Sequence, residues 1–187
     1  MERSRALRDE VVSSDSEQLI LVDEHDREIG YGSKADCHDG TGLLHRAFSL
    51  FVFNDAGELL LQRRSVTKRL WPLYWSNSCC SHPRRGEAME DAIHRRLRQE
   101  LGLESDLRFL YKFAYQADYG DDGAEHELCW VYSGHARGPV RANANEVAEW
   151  RYLPPAQIDL EIANRPERFT PWFKLEWDRV GKRGVAP

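Results

Sequence analysis

Apolar residues along the chain fall into short runs with a period close to two, the pattern that predicts β-strands. Gln18–Val22 precedes a turn-prone Asp-Glu-His-Asp and a second short run ending at residue 32, so we predict an opening hairpin. Residues 47–53 and 58–64 flank Asn-Asp-Ala-Gly and predict a second hairpin. Three further strands are predicted over residues 107–117, 127–135 and 146–152.

A helical period replaces this alternation in the second half of the chain. Residues 88–101 place five apolar side chains on one face of a predicted helix: Met89, Ala92, Ile93, Leu97 and Leu101. Gly102 is expected to end that helix in a left-handed conformation. Pro155–Asn164 predicts a second helix, and Thr170 with Pro171 predicts the start of a third that runs to about residue 179. Residues 33–45 and 65–75 are polar or basic and are predicted as loops.

Strands and helices mix without strict alternation, and the chain contains no repeats or low-complexity linker. This mixture predicts a single α/β (α+β) domain with a mixed β-sheet covered by helices. A chain of 187 residues suits one domain with its own core. We predict a mobile N-terminal leader over residues 1–17, the domain over 18–180 and a short tail over 181–187.

Composition narrows the function classes. Hydrophobic residues make up 41% and charged residues 30% of the chain, as in ordinary soluble proteins. The formal net charge of −5 argues against a nucleic-acid binder. No apolar run approaches the roughly 20 residues that span a bilayer, and no signal peptide is evident. The four cysteines do not form the framework of a secreted protein, so we predict a cytoplasmic protein without membrane partners.

Candidate chemistry centres on residues 77–102, which contain Asn-Ser-Cys-Cys-Ser-His-Pro followed by the predicted helix. In an extended segment Cys80 and His82 point to the same side and Cys79 to the other. Glu100 falls in the last turn of the helix, among several arginines. This combination of thiol, imidazole, carboxylate and guanidinium suits a metal and a phosphate together.

Three imidazoles and two carboxylates could serve as metal ligands. They are His38, His45, His82, Glu125 and Glu127. Such a set suits a first-row divalent ion such as manganese or zinc. Taken singly, however, each of these residues could be structural or solvated, and Glu125 with Glu127 could lie on an edge strand facing water.

Four basic residues, Lys34, Arg64, Lys68 and Arg96, could bind a diphosphate through bidentate and point-charge contacts. A solvated basic face explains them equally well. Trp172 and Tyr115 are by default packing residues, and Cys129 is most simply a buried strand residue.

The helix region matches part of the Nudix box, the acidic motif of hydrolases that hold magnesium ions and activate water. The matching residues are Glu87, Arg95, Leu97, Glu100, Gly102 and Leu103. Ser81 stands where the box begins with glycine, and Arg96 and Gln99 stand where the box has glutamates. The scaffold of the motif is therefore kept, whereas its hydrolytic metal site is not.

The chain as a whole resembles type 1 isopentenyl diphosphate isomerases, a Nudix-fold family with a similarly degenerate box. The resemblance extends from about residue 18 to residue 180. Its motifs are Lys34-x3-His38-x6-His45-Arg-Ala-Phe, Arg63-Arg64-x3-Lys68-x2-Trp71-Pro72, Trp75-x-Asn77-x2-Cys80-x-His82-Pro83, Arg95-Arg96, Glu100-Leu101-Gly102, Tyr115, Glu125-x-Glu127 and Thr170-Pro171-Trp172. It implies a Nudix-like domain whose sheet is sandwiched between helices, and a metal-dependent, flavin-independent isomerase of isoprenoid biosynthesis.

The resemblance also implies residue roles. Cys80 and Glu127 would be the acid-base pair on opposite faces of the substrate, Tyr115 would relay the proton of Glu127, and Trp172 would lie against the hydrocarbon. His38, His45, His82, Glu125 and Glu127 would hold one Mn²⁺ or Zn²⁺. Glu100 and the main chain of Cys80 would hold the Mg²⁺ that arrives with the diphosphate, and Lys34, Arg64, Lys68 and Arg96 would bind that anion.

Two alternatives stay open at this point: a Nudix hydrolase of a nucleoside diphosphate derivative, and a non-catalytic metal- or phosphate-binding module. For the isomerase we expect a monomer or a weak homodimer with a small-molecule diphosphate as its partner.

Overall fold

The computed structural model describes residues 10–182. Residues 1–9 of the predicted leader and 183–187 of the predicted tail lie outside the described residues, and the division into leader, domain and tail stays a prediction. Residues 10–17 run along the domain surface, where Val12 is buried and Glu17 forms an ion pair with Arg84.

The strands are β1 (Gln18–Val22), β2 (Glu28–Ser33), β3 (His45–Phe53), β4 (Leu59–Arg64), β5 (Trp75–Ser76), β6 (Cys79–Ser81), β7 (Arg108–Asp118), β8 (Ala124–His135) and β9 (Val147–Leu153). The helices are α1 (Lys34–His38), α2 (Met89–Leu101), α3 (Pro155–Asn164) and α4 (Pro171–Lys182), with short 3-10 turns at Gly120–Asp122 and Pro166–Arg168. Among residues 10–182, no helix has both the length and the apolar composition that crossing a bilayer requires.

All nine strands belong to one mixed sheet built around β3. One edge of β3 pairs in parallel with β8 over its whole length, from His45 opposite Glu127 to Phe53 opposite His135. The other edge pairs antiparallel with β1 at its start, β6 in its middle and β4 at its end. Because β1, β6 and β8 all meet β3, side chains that are far apart in sequence lie close together there.

The predicted sandwich of helices and sheet is confirmed. Side chains of β3 alternate between two apolar clusters. Phe48 and Leu50 pack with Ile93 and Leu97 of α2, whereas Phe51 packs with the helices α3 and α4 on the opposite face. Each fully buried leucine or phenylalanine contributes about 1.5–3 kcal/mol to the free energy of unfolding.

The predicted helix over residues 88–101 is present as α2, and Gly102 ends it with a φ of 63°. Residues 33–45 depart from the prediction, because they contain α1 rather than only a loop. Ser33 caps that helix by accepting a hydrogen bond from the main-chain N–H of Asp36. The cap was visible in the sequence as a serine followed three residues later by an aspartate.

The second predicted hairpin is only partly right. Strand β4 pairs with β3 at Phe53 and Leu59 alone, and then diverges to pair with β9 and β5. The interpretation of Glu125 and Glu127 as a solvated edge is wrong, because β8 is covered by β7 and β3 and both carboxylates are buried.

Candidate active site

A pocket of about 450 Å³ lies where α1, β6, β8 and α4 meet the loop that follows β4. Eleven of the predicted site residues line it directly: Lys34, His38, Arg64, Lys68, Cys80, His82, Arg96, Tyr115, Glu125, Glu127 and Trp172. His45 and Glu100 are buried behind this wall. The pocket therefore gathers residues from segments between positions 34 and 172.

The five predicted metal ligands lie together on one side of the pocket. One ligand atom from each of His38, His45, His82, Glu125 and Glu127 can be chosen so that all lie within 4.8 Å of one another. All five residues are buried. The convergence that the sequence alone could not establish is thus present.

Local structure explains this convergence. Glu125 and Glu127 are two residues apart on β8 and share a face, while His126 points away. His45 begins β3 directly opposite Glu127. His38 ends α1 and His82 directly follows β6, so each imidazole comes from a different chain segment.

Hydrogen bonds orient two of the imidazoles. Nδ1 of His38 lies 2.6 Å from the main-chain oxygen of Lys34, and Nδ1 of His45 lies 2.7 Å from that of Leu43. Each Nδ1 therefore carries the proton and donates it, which leaves Nε2 as the ring atom that can bind a metal. This is the arrangement in which metal-binding histidines are usually held.

Nε2 of His38 lies 2.9 Å from Oε2 of Glu125, and Nε2 of His82 lies 2.9 Å from Oε1 of Glu127. Two other buried atoms of this cluster have no hydrogen-bond partner among residues 10–182: Nε2 of His45 and Nδ1 of His82. Buried polar groups are rarely left in this state, since each one costs free energy. A divalent cation would satisfy such lone pairs, so the donor set fits a metal ion.

The pKa values in the cluster also fit a bound metal ion. Burial, reinforced by the neighbouring His38, lowers the pKa of His45 to about 4. Burial and the adjacent Glu125 raise the pKa of Glu127 well above its usual value. Burial also lowers the pKa of His82 well below its usual value, so the imidazoles of His45 and His82 are neutral and ready to act as ligands. A bound cation would favour the ionised form of Glu127.

The groups predicted to carry the chemistry face the same pocket. The hydroxyl of Tyr115 donates a 2.6 Å hydrogen bond to Oε2 of Glu127. Cys80 is partly exposed to the pocket, whereas Cys79 on the other face of β6 is buried in the core. Burial raises the pKa of Cys80 to about 12, so its sulfur carries a proton at neutral pH.

Trp172 forms the apolar wall of the pocket. Its Nε1 donates to Oγ of Ser76 at 3.0 Å, which fixes the ring. The ring centroid lies 6.3 Å from that of Tyr115 and 5.3 Å from that of Trp71. Trp172 and Tyr115 therefore give this end of the pocket an aromatic lining.

The four predicted cations line the other end. Arg96 is buried and donates from Nε to Oε1 of Glu100 at 3.1 Å and from NH2 to Oε2 of Glu146 at 3.2 Å. Lys68 forms an ion pair with Glu146, and Lys34 donates to the hydroxyl of Ser13. Only Lys68 and Arg96 of the four cations pair with the carboxylates of Glu100 and Glu146, so the region keeps an excess of positive charge.

The same cations shift the pKa values around them. Burial lowers the pKa of Lys34, and the nearby Lys68 and Arg96 lower it further. Burial alone would raise the pKa of Glu146, but Lys68 and Arg96 hold it below its usual value. A negatively charged ligand would relieve the repulsion among these cations.

Arg64 is held without a carboxylate contact. Its guanidinium donates to the main-chain oxygens of Leu70 at 2.8 Å and Trp71 at 3.1 Å, and it lies 5.2 Å from the ring of Trp172. This position puts a positive charge between the polar end and the aromatic wall of the pocket.

Sequence reasoning missed Glu146. It is buried, lines the pocket and pairs with both Lys68 and Arg96. It lies at the start of a predicted strand, and no motif linked it to cations more than forty positions away. Glu100 accepts hydrogen bonds from Arg96 and from Nε2 of Gln62, at 3.3 Å, which positions its carboxylate behind the pocket wall.

The retained part of the Nudix box has a structural role in this chain. Arg95 binds Glu87 through two hydrogen bonds of 2.5 and 2.8 Å, which ties α2 to the segment after β6. This pair holds the helix that carries Arg96 and Glu100 against the strand that carries Cys80.

Comparisons with known proteins agree with this geometry. The family model described as "NUDIX domain" matches residues 43–173. An isopentenyl-diphosphate Delta-isomerase of Burkholderia multivorans is 44% identical over 165 residues, covering 88% of this chain and 93% of that protein. One from Paenarthrobacter aurescens is 37% identical over 174 residues, covering 92% and 95%.

Solved structures share the fold at low sequence identity. A crystal structure of a Deinococcus radiodurans protein superposes with a TM-score of 0.65 at 24% identity, covering 80% of this chain and 90% of that one. The MutT protein from Methanosarcina mazei superposes with a TM-score of 0.63 at 15% identity, covering 76% and 96%. These two likenesses establish the architecture alone.

Proposed function

The chain belongs to the NUDIX domain family and, within it, to the isopentenyl-diphosphate Delta-isomerases, and we propose on this basis that it interconverts isopentenyl diphosphate and dimethylallyl diphosphate. The reaction is a 1,3-allylic proton shift. The observation that carries the proposal is one pocket that holds a thiol, a carboxyl and four cations together.

The chemistry demands an acid and a base in a dry site. Protonating an unactivated alkene generates a tertiary carbocation, and water would trap it. We assign this acid-base pair to Cys80 and Glu127, which line the same pocket. The protonated member would give its proton to the terminal alkene carbon, and the member in its deprotonated form would remove a proton from the methylene next to the cationic carbon.

Tyr115 and Trp172 support this pair. The hydrogen bond from Tyr115 to Oε2 of Glu127 holds the carboxyl in one orientation and offers a route for its proton. The face of Trp172 would stabilise the carbocation by a cation–π attraction, worth roughly 2 kcal/mol when the cation is desolvated.

We propose that His38, His45, His82, Glu125 and Glu127 hold one Mn²⁺ or Zn²⁺. Such an ion would fix the orientation of Glu127 and tune its acidity. The convergence of the five ligand atoms and the unpartnered Nε2 of His45 support this ligand set.

The diphosphate would lie at the cationic end, against Lys34, Arg64, Lys68 and Arg96. Arginine forks and lysine point charges suit its oxygens. Glu100 and the main chain of Cys80 would hold the Mg²⁺ that accompanies it. Where a hydrolase of this fold has an acid for metal binding, this chain has Arg96 for the anion.

We propose that the protein acts on a small diphosphate alone, without nucleic-acid or membrane partners. We also propose that it is a monomer or weak homodimer in the cytoplasm. Its four cysteines are all free thiols, which suits a reducing compartment.

The test is proton NMR of purified protein with isopentenyl diphosphate in deuterated buffer. We expect the allylic product, with deuterium entering its methyl group. Release of phosphate without allylic product would instead indicate a hydrolase. Binding of metal and diphosphate without turnover, unchanged in a Cys80→Ala variant, would indicate a non-catalytic module.

A further inference from the structure

A carboxyl group on α4 is enclosed beneath the pocket. Glu176 is fully buried, and its Oε1 accepts a hydrogen bond from the thiol of Cys129 at 3.5 Å. That sulfur in turn lies 3.4 Å from Oγ of Ser49. Oε2 of Glu176 has no hydrogen-bond partner among residues 10–182. A buried polar group in this state needs an explanation.

The partners of Glu176 lie on the strands that carry the acid-base pair. Ser49 is directly opposite Cys80 in the pairing of β3 with β6, and side chains in such a pair have Cβ atoms about 5 Å apart. Cys129 is two residues beyond Glu127 on β8 and shares its face. Glu176 therefore sits behind both reacting groups, although it does not line the pocket.

The charged and titratable groups around Glu176 come from four elements. Cys129 and Glu127 face it from β8 and Cys80 from β6, while Tyr111 of β7 donates to its main-chain oxygen at 3.3 Å. The only cation acting on its charge among the described residues is Arg179, on its own helix. Among the described residues, no cation on the other elements compensates a negative charge at this position.

Burial consequently favours the neutral acid. It raises the pKa of Glu176 to about 8, although hydrogen bonds from Ser49 and Cys129 and the charge of Arg179 oppose the shift. When Glu176 is ionised, its charge adds to burial in raising the pKa of Cys80, and it does the same for Glu127.

Resting on the proposed isomerase function, we propose that Glu176 is a positioning residue of this site. As a neutral acid it holds Ser49 and Cys129 beneath Cys80 and Glu127, and it adds no negative charge next to that pair. An ionised Glu176 makes both members of the pair weaker acids. Protonation of the alkene, the most demanding step, is then slower, whether Cys80 or Glu127 donates the proton.

The first test is the pH dependence of kcat. In the wild-type protein we expect kcat to fall by up to about tenfold between pH 7 and pH 9, as a group with a pKa of about 8 ionises. Glu176→Gln cannot ionise, so the ratio of its kcat values at the two pH values should stay near one. An equally steep fall in Glu176→Gln would overturn the proposal. Glu167→Gln, at an exposed carboxylate, is the matched control and should fall as the wild type does.

The second test separates positioning from folding. Glu176→Leu removes the hydrogen bonds to the thiol, and we expect a kcat lowered about tenfold at pH 7 with KM within twofold, because the cationic end of the pocket is untouched. Glu176→Gln should recover most of that loss. The inference is contradicted if Glu176→Leu and Glu176→Gln lose thermal stability without any change in kcat or its pH profile, because Glu176 would then have only a structural role.

Infrared difference spectroscopy gives a readout that does not depend on activity. The carbonyl band of a protonated carboxylic acid that disappears as the pH passes about 8 in the wild type should be missing in Glu176→Gln, whereas any such band of Glu127 should be present in both proteins. A wild-type protein that shows this band but forms no allylic product would refute the isomerase function. An active wild-type protein without the band would refute the role of Glu176 alone.

Discussion

The two ends of the pocket treat buried charge in opposite ways. At the cationic end, Lys68 and Arg96 already form ion pairs with Glu146, and Arg96 also pairs with Glu100. At the histidine end, His38 contacts Glu125 and His82 contacts Glu127, but Nε2 of His45 and Nδ1 of His82 have no partner among the described residues. Internal ion pairs preorganise the cationic end, whereas the histidine end keeps donor atoms open and could hold a metal ion.

This difference has a physical reason. Four cations close together repel one another, so buried carboxylates are needed to offset this repulsion in the folded protein. A diphosphate would bind the positive charge that these carboxylates leave uncompensated. A metal site needs the reverse, because its ligand atoms must be unprotonated and free of other hydrogen bonds. The predictions that follow test the two ends separately.

Removal of metal should have the largest effect. We expect chelation to abolish isomerisation, because the histidine end loses the ion that orients Glu127. Magnesium alone should restore activity only partly, since it serves the diphosphate site and not the histidine end. Manganese or zinc together with magnesium should restore activity fully. Turnover by proton NMR and the melting temperature measure this, and the melting temperature should rise on reloading. Full activity after exhaustive chelation would contradict the proposed ligand set.

Substitution of the acid-base pair should come next. Cys80→Ala and Glu127→Gln should each lower kcat by about 10²–10⁴-fold or more, because each removes a proton-transfer group, with little change in the circular dichroism spectrum.

Cys79→Ala is the matched control for Cys80→Ala, because this neighbouring thiol faces the core. It should keep most of the activity and lose some stability. If Cys80→Ala kept most of its activity and Cys79→Ala did not, the choice of reactive thiol would be wrong.

The cationic end should respond in KM and in stability. Arg96→Met removes a cation from the anion site and leaves Glu100 and Glu146 buried with fewer partners, so we expect a higher KM and a loss of about 3–5 kcal/mol in the free energy of unfolding. Urea unfolding and steady-state kinetics measure the two effects.

Arg98→Met, at an exposed arginine of the same helix, is the control and should change neither quantity appreciably. An Arg96→Met protein as stable as the wild type would show that the pairing at this end is not needed for folding.

The smallest effect on activity concerns Glu176, whose only counter-charge among the described residues is Arg179 on its own helix. Its pKa is about 8 when folded and 4.5 in the reference state, so between these values the folded protein holds one proton that the unfolded chain releases. Stability should therefore fall as the pH rises through this window.

Glu176→Gln removes this dependence. Its advantage in the free energy of unfolding over the wild type should grow with pH and level off above about 8, as urea titrations at several pH values would reveal. A constant difference across the window would mean that Glu176 is ionised in the folded protein.

Local patterns in the sequence were sufficient for most elements. The apolar period of residues 88–101 and Gly102 placed α2, and period-two runs placed the main strands. The cap of α1 was overlooked, because five residues are too few to establish a period. The divergence of β4 towards β9 was not predictable either, since it depends on a partner almost ninety positions further along.

The family resemblance supplied the candidate residues, and the fold brought them together. Of the groups that matter for charge, Glu146 and Glu176 belong to no recognised motif, and both became apparent only from what surrounds them. A carboxylate's role depends on its neighbours, and neighbours from distant segments cannot be inferred from spacing.

By itself the sequence determined which residues could bind metal and diphosphate, where α2 begins and ends, and that Cys80 and His82 face the same side. Only the tertiary structure decided that His45 meets Glu127, that Arg96 is paired twice and that Glu176 is buried behind the site with one carboxyl oxygen unpartnered among the described residues. The reason is physical: hydrophobic periodicity encodes local conformation, whereas distances across β3, β6 and β8 depend on which strands pair and in what register.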